Sequence, residues 1–436
     1  MQGAPVFGLS PSWLLHDGRP VADAMVLSHP EQLERLRAHC PQAAPTAVLA
    51  GDPCFDRILA ARPRRESFRR ALGVHRGQRL VLLNSTWNPE SLFGDAGDDV
   101  LPALLPRLTA ELPADEYRLA AVLHPNIWHG HGPGQIRSWL DRARRGGLAL
   151  VDPLDGWRQA LLAADAVIGD HGSVSYYAAA LGTPVLLGAA PLDGLDPHSP
   201  VAAFVRDAPR LDPYTPLLGR LERLLAAHRP LPGPAALTTA VPGESAARLR
   251  TLFYSLIGIP EPTGPALLER LPLPPYEPPL RTAPMRVLTR LLGDGEVTVT
   301  RHADPAYEPV GDGELHTAVH EETRDPGQLD LADVVLGHGA PDDPRLGPPE
   351  ERAAEALARH PGCALAAYVT DATSCTVRTR AGALVRLEGD RGGPDPAAYA
   401  SALHAWLAAG KSLDELTERG LTVRTGAVAH QVRVLR

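Results

Sequence analysis

From Gly51 to about Gly258, short aliphatic and β-branched runs alternate with segments whose apolar positions recur every three or four residues. That alternation is the pattern of a parallel sheet covered by helices on both faces. It predicts strands over Arg79–Leu83, Arg118–Leu123, Leu148–Val151, Ala166–Gly169 and Pro184–Leu187, and helices over 64–72, 99–112, 134–145, 157–164 and 174–181. Trp157, Ala160, Leu161 and Ala164 fall on one helical face, with Asp155 as the expected cap. Leu249, Leu252, Phe253, Leu256 and Ile257 repeat the spacing, so a closing helix is expected over 244–257. Residues 51–258 therefore read as one α/β, Rossmann-like domain.

The pattern changes on either side. Residues 1–50 offer one strand-like run, Ala22–Leu27, and one helix, Glu31–Ala38, too little to form a core alone; they read as the tail of an earlier domain. Residues 259–284, dense in proline from Pro260 to Pro284, cannot continue a helix or a central strand and are expected to be a linker. Beyond it, alternating runs at 296–302, 314–321, 363–370, 374–380, 383–387 and 421–436 predict antiparallel strands, with Arg380–Ala383 as a hairpin turn. With helices near 349–360, 395–409 and 412–419, residues 285–436 read as a smaller α+β domain to which the sequence assigns no chemistry.

Composition narrows the class. The chain has 436 residues, 44% of them hydrophobic and 22% charged, which excludes disorder over most of its length. A net charge of −8 argues against a dedicated nucleic-acid binder or a basic membrane-surface protein. Lys411 is the only lysine; with so much Ala, Gly and Pro, the arginine excess reads as GC-rich bacterial coding rather than phosphate recognition. Cys40, Cys54, Cys363 and Cys375 match neither zinc-ligand spacing nor a compact disulfide framework, so free thiols in a reducing cytosol are expected. The uncharged run Gly172–Leu192 is long enough to span a bilayer, but Tyr176, Gly182, Pro184 and Pro191 interrupt it. It reads as helix, turn and buried strand, and no transmembrane segment is expected.

The richest stretch for chemistry runs from Asp165 to Leu187: a strand ending at Gly169, the turn Asp170-His171-Gly172-Ser173, a helix from about Val174, and Gly182 as its stop. Such a turn presents backbone N–H groups at a helix N-terminus, where the macrodipole favours an anion. Gly172 allows close approach, and Ser173 and Ser175 add hydroxyl donors, so a diphosphate would fit; the alternative is that Ser173 merely caps the helix. His124 follows the buried run Leu119–Leu123 at the carboxyl edge of the sheet, where open α/β sheets bind ligands. Ser85 and Thr86 reach that edge from the preceding strand, and Asp170 and His171 from a later one. A histidine there could donate to a phosphate oxygen or transfer a proton, or simply cap the loop before Pro125.

These motifs resemble the C-terminal half of GT-B enzymes, and most of all the CDP-glycerol glycerophosphotransferase family. Asp170 and Ser173 match that family's Asp-Tyr-Ser-Ser turn; His171 and Gly172 depart from it, and His171-Gly172-Ser173 resembles the His-Gly-Gly diphosphate turn of other GT-B glycosyltransferases. Gly51-Asp52-Pro53-Cys54-Phe55-Asp56 is similar to the family's entry to its second domain, the strand ending Asn84-Ser85-Thr86-Trp87 comes next in order, and His124-Pro125 matches a pair that in the family faces the donor phosphates. The resemblance covers roughly residues 5–258. It implies a nucleotide-diphosphate donor, either CDP-glycerol or a nucleotide sugar, with Ser85, Thr86, Asp170, His171, Gly172, Ser173 and Ser175 around it and His124 as the catalytic residue. It further implies a polymer acceptor at the membrane and a cytoplasmic enzyme with peripheral attachment at the inner face; no separate cofactor is expected and, from the charge balance, no nucleic-acid partner.

Two histidine patterns invite a metal and fail on spacing. His129 and His131 with His124 have no carboxylate at ligand distance, and Gly130, Gly132 and Gly134 mark the stretch as a loop. His316 and His320, followed by Glu321 and Glu322, would sit about 13 Å apart on a strand, too far to chelate one ion, and read as a solvated face. The resembled families also use a histidine from an N-terminal half, carried in a His-Gly motif, and none occurs before Gly51. This leaves two expectations: residues 1–50 are the remnant of that half in a chain whose start lies upstream, or the chain is a nucleotide-binding or interaction module without turnover.

Overall fold

The computed structural model describes residues 8–94, 100–212, 214–276 and 278–436. Its centre is a five-stranded parallel sheet: β1 (Arg79–Ser85), β2 (Tyr117–Leu123), β3 (Ala149–Leu150), β4 (Ala166–Gly169) and β5 (Val185–Leu187), in the order β3-β2-β1-β4-β5. β1 and β2 pair along their whole length, from Arg79 opposite Tyr117 to Ser85 opposite Leu123, and β4 joins β1 at Val81 opposite Ala166. Both faces are covered, so alternate residues of one strand enter different cores. Leu80 and Leu82 pack with Ala120, Val122 and Val167, whereas Val81 and Leu83 pack with Leu119, Ala121 and Ile168. The order reverses at β1, which makes the carboxyl ends of β1, β2 and β4 the switch point of the sheet.

Among the helices around the cleft, the sheet and the second domain are α1 (Pro53–Ala61), α2 (Trp157–Ala163), α3 (Ser173–Ala180), α4 (Ser245–Ile257), α5 (Pro349–Arg359) and α6 (Ala397–Ala408). Several local expectations are corrected. The segment 134–145 breaks at Leu140 into Pro133–Trp139 and Asp141–Arg145. The glycine-marked loop around His129 is a short helix, Pro125–His131, ended by Gly132 at φ +81. Asp155 does not cap α2: Gly156 holds that position, and the Asp152 carboxylate accepts the N–H groups of Leu154 and Asp155. The Asx turn orders the residues just ahead of the helix, and the helix begins one residue later than an Asp155 cap would place it. α4 forms as expected, yet Phe253, Leu256 and Ile257 on its apolar face are exposed.

Residues before Gly51 build more than the sequence suggests. Met25–Leu27 and Ala47–Leu49 pair in parallel, and with the helix Pro30–His39 they close a small cluster around Leu9, Leu27, Leu36, Cys40 and Ala43. The proline-rich stretch 259–284 has no helix or strand among its described residues. It runs as a strap, fixed where Arg64 donates to Leu271 O at 2.6 Å, Gln159 to Pro272 O at 3.0 Å and Arg281 to Ala114 O at 3.0 Å.

The region after it departs most from expectation. Nine strands close a barrel: β6 (Met285–Gly293), β7 (Glu296–His302), β8 (Glu314–His320), β9 (Val334–His338), β10 (Leu365–Val369), β11 (Ser374–Thr379), β12 (Leu384–Gly389), β13 (Leu421–Thr425) and β14 (Val428–Leu435). The strands are not all antiparallel: β7 pairs with β13, and β9 with both β8 and β10, in parallel, and the sheet closes on itself. α6 packs against β6, β7, β9, β10, β11 and β13 and buries consecutive positions from Ala397 to Leu403, so a helix apolar on every side fills the barrel. His316 and His320 face that interior instead of solvent: both are buried, His320 Nε2 lies 2.9 Å from His338 Nδ1, and His316 is 4.5 Å from the His404 ring. The hairpin expected at Arg380–Ala383 joins β11 and β12, with Gly382 at φ +92.

The barrel docks on the amino end of the parallel sheet. Arg76 N–H reaches Gly392 O, Ala114 N–H reaches Arg301 O, and Arg301 forks onto Asp115 just ahead of β2. The carboxyl edge lies at the opposite end. All four cysteines are free thiols, and among the described residues no helix is long and apolar enough to cross a membrane.

Candidate functional site

The ends of β1, β2 and β4 and the loop after β3 open onto one cleft of about 290 Å³. Asn84, Ser85 and Thr86 line it from β1, Leu123, His124 and Pro125 from β2, Pro153, Leu154, Trp157 and Arg158 from beyond β3, and Gly172, Ser173 and Val174 from beyond β4. Of the eight residues singled out from sequence, Ser85, Thr86, His124, Gly172 and Ser173 line the cleft, whereas Asp170, His171 and Ser175 do not.

Asp170 is fully buried beneath the turn. Its Oδ2 accepts the N–H groups of Thr86 (2.8 Å) and Leu92 (3.0 Å), and its Oδ1 accepts that of Gly172 (2.9 Å). One carboxylate thereby ties the loop after β1 to the turn after β4. Ser175 is also buried and donates to Asn84 Oδ1 at 3.1 Å, under Gly169. A Cβ on Gly169 would stand 2.3 Å from Ser175 Oγ and 2.4 Å from Asn84 Nδ2, so only glycine lets β1 and α3 approach this closely. His171 turns aside to Asn88, with Nε2 3.3 Å from Asn88 Nδ2. Ser85 lines the cleft with a committed hydroxyl, which donates to Thr86 O and accepts from Phe93 N–H.

The first turn of α3 is arranged differently from a serine cap. Gly172 is the N-cap and Ser173 the first helical residue, exposed and making no capping bond. The Gly172 amide is spent on Asp170, which leaves the amides of 173–175 as the helix's unpaired donors. A Cβ on Gly172 would meet Asp170 Oδ1 at 2.9 Å and Thr86 Cβ at 3.2 Å, so the close approach read from the sequence is between protein segments.

His124 caps the helix Pro125–His131 and also lines the cleft. Its Nδ1 accepts Asn126 N–H at 3.1 Å, so the neutral ring carries its proton on Nε2. Burial lowers its pKa below the ordinary imidazole value, with the Asp170 carboxylate opposing. At neutral pH it is therefore a hydrogen-bond donor rather than a base.

Sequence reasoning passed over Asn84, Trp157 and Arg158. Asn84 carries the signal of a polar side chain ending an apolar strand; Arg158 reads as one more solvated helix cation. In fact its guanidinium lies 4.6 Å over the Trp157 ring and donates to Cys54 Sγ at 3.3 Å. Trp157 stacks on Tyr177 (6.1 Å), which stacks on Phe55 (5.6 Å). The motif Gly51–Asp56 builds this wall. Asp52 caps α1 through Phe55 N–H and accepts the Tyr177 hydroxyl at 2.7 Å, while buried Asp56 accepts from Gly243 N–H and Ser245 N–H at the start of α4. Burial and the adjacent Asp52 push the Tyr177 hydroxyl well above its ordinary pKa.

No protein-family model and no curated protein sequence matches the chain. Solved structures do. Over about half its length the chain is similar to several of them. With a CDPG-soaked variant of the wall teichoic acid polymerase TagF it shares 17% identity over 54% of this chain and 58% of that one, at a TM-score of 0.39. With the UDP-GlcNAc 2-epimerase of Neisseria meningitidis bound to UDP-GlcNAc the values are 13%, 54%, 61% and 0.33. With a glycosyltransferase from Rickettsia africae they are 11%, 53%, 58% and 0.28. The chain thus spans less than two thirds of each of these proteins.

Proposed function

We propose that the chain is a GT-B-like transferase that moves a glycerophosphate or a sugar from a nucleotide-diphosphate donor to a cell-envelope polymer or related acceptor, with the donor seated in the cleft at the carboxyl edge. One observation carries this reading: among the described residues, the cleft lining contains an arginine, a histidine N–H donor, two serines, a threonine and a helix N-terminus, and no aspartate or glutamate. Asp170, beneath the turn, has its oxygens turned onto the protein's own amides. Such a lining favours an anion, and the wall of Pro153 and Leu154, backed by Trp157, offers apolar surface for a nucleoside. In this reading the 173–175 amides, Ser173 and Thr86 hold the diphosphate, and His124 Nε2–H donates to the oxygen on which charge builds as the nucleotide leaves. Asp170 and Ser175 act as positioning residues.

A second reading, a nucleotide-binding or interaction module without turnover, is favoured by a different detail. Among the described lining groups His124 is the one imidazole, and its Nδ1 is already occupied by Asn126 N–H, so this lining supplies no general base. Calorimetric titration with CDP, UDP, CDP-glycerol and UDP-sugars tests the donor site: micromolar binding that weakens in His124→Gln and Ser173→Ala is expected, and no binding to a folded protein sinks both readings. Product release from a bound donor in the presence of acceptor polymer separates transferase from module.

A further inference from the structure

Trp87 follows the cleft-lining Thr86, is 56% exposed, and holds its ring 6.4 Å from the His124 ring at an interplanar angle of 37°. Beside a polar cleft, an exposed indole presents a flat apolar face to whatever enters. The segment that carries it is not loose. On one side the Thr86 amide, and on the other the Leu92 amide, are bonded to the same Asp170 oxygen, and Phe93 N–H is bonded to Ser85 Oγ. Ser91 and Gly94 N–H close successive turns onto Asn88 O and Ser91 O. The backbone that carries the indole is therefore held in place while the ring stays exposed, so a recognition surface there has little backbone ordering entropy left to lose.

A flat indole exposed beside the histidine that lines the cleft suits a ligand with one apolar face. A pyranose ring, with its C–H face, has that character; an acyclic glycerol phosphate does not.

We propose that Trp87 is a stacking platform for the group carried by the donor, and that this group is a cyclic sugar. The inference rests on the donor-cleft reading and narrows it: the diphosphate sits against His124 and the 173–175 amides, and the sugar's C–H face lies on the indole. The test is calorimetry on the full chain, wild type, Trp87→Ala and Trp87→Phe, with UDP, CDP and GDP, their hexose conjugates, and CDP-glycerol; thermal melts confirm that each variant is folded. The expected result is a hexose conjugate that binds wild type about fivefold more tightly than its nucleoside diphosphate, an increment lost in Trp87→Ala and largely kept in Trp87→Phe. Nucleoside diphosphates that bind while the hexose adds nothing, an increment that survives Trp87→Ala, or a gain confined to CDP-glycerol would overturn the inference and leave the donor cleft standing. Failure of every nucleotide to bind wild type would overturn both.

Discussion

Arg301 of the barrel donates two hydrogen bonds to Asp115 of the sheet domain, Nε to Oδ2 at 2.7 Å and Nη2 to Oδ1 at 2.6 Å, with both side chains buried. Asp395 takes a third bond from the same guanidinium at 3.0 Å and faces Arg281 at 3.5 Å. Burial works against ionising Asp395, but Arg301 and Arg281 hold its pKa well below the ordinary carboxylate value. Removing one member strands a buried charge. Arg301→Ala is expected to cost about 3–5 kcal/mol in urea unfolding, whereas Arg301→Met with Asp115→Leu, which removes both charges, should cost much less. Equal losses in the two proteins would show that the ion pair is not what joins barrel to sheet.

The barrel interior should make the protein acid-sensitive. Burial first, then the neighbouring His404, Arg286 and Arg301, lower the pKa of His316 to about 3; burial and His338 lower that of His320 to about 3. The unfolded chain takes up protons below about 6.5 while the folded one resists until about 3, so stability is lost as pH falls through that window. At pH 5 each histidine should cost about 2 kcal/mol relative to pH 7. His320→Gln should flatten the dependence measured by urea unfolding between pH 7 and 5; an unchanged slope would mean that the imidazoles are hydrated or paired differently.

The sheet was legible because a strand buried on both faces must be a nearly unbroken apolar run, as Leu80–Leu83 is, and such a run survives any detail of packing. The turn at 170–173 was legible for a similar reason: a strand that stops at glycine before a new helix has few other conformations. What could not be read was direction. Asp170, His171 and Ser175 lie close in sequence to the lining residues, but a tight turn sends neighbouring side chains to opposite sides, and only tertiary bonds to Thr86, Asn88 and Asn84 decide which. The barrel failed on distance: Val297 pairs with Val423, and no local pattern announces a partner so remote. Once α6 fills the interior, the face bearing His316 and His320 is buried whatever its polarity suggests.

Gly169 offers a steric test of the floor of the site. Its Cβ would overlap Ser175 Oγ and Asn84 Nδ2, on the two side chains whose contact closes β1 against α3. Gly169→Ala is expected to destabilise by about 1–3 kcal/mol and to weaken nucleotide-diphosphate binding along with it. Gly130, in the helix Pro125–His131 with nothing within 4 Å of its would-be Cβ, is the control. Gly130→Ala should be neutral or stabilise by up to about 1 kcal/mol, leaving affinity unchanged. A neutral Gly169→Ala would show that the strand end and the helix can move apart.

Asp170 and Ser173 should separate positioning from contact. Asp170→Ala leaves the buried amide of Leu92 and the part-buried amides of Thr86 and Gly172 without their acceptor, and at about 1–3 kcal/mol for a buried orphan the variant should lose at least that much stability. It should also lose donor binding, because this carboxylate is what ties the loop after β1 to the turn after β4. Ser173→Ala removes an exposed hydroxyl that caps nothing, so its melting temperature should stay within about a degree or two of wild type. Its affinity for a nucleoside diphosphate should nonetheless fall about ten- to hundredfold, the worth of one hydrogen bond to a charged group at about 1.5–3 kcal/mol. Should Ser173→Ala bind as tightly as wild type, the diphosphate does not sit at the N-terminus of α3; should Asp170→Ala bind normally, the turn does not depend on its carboxylate for shape.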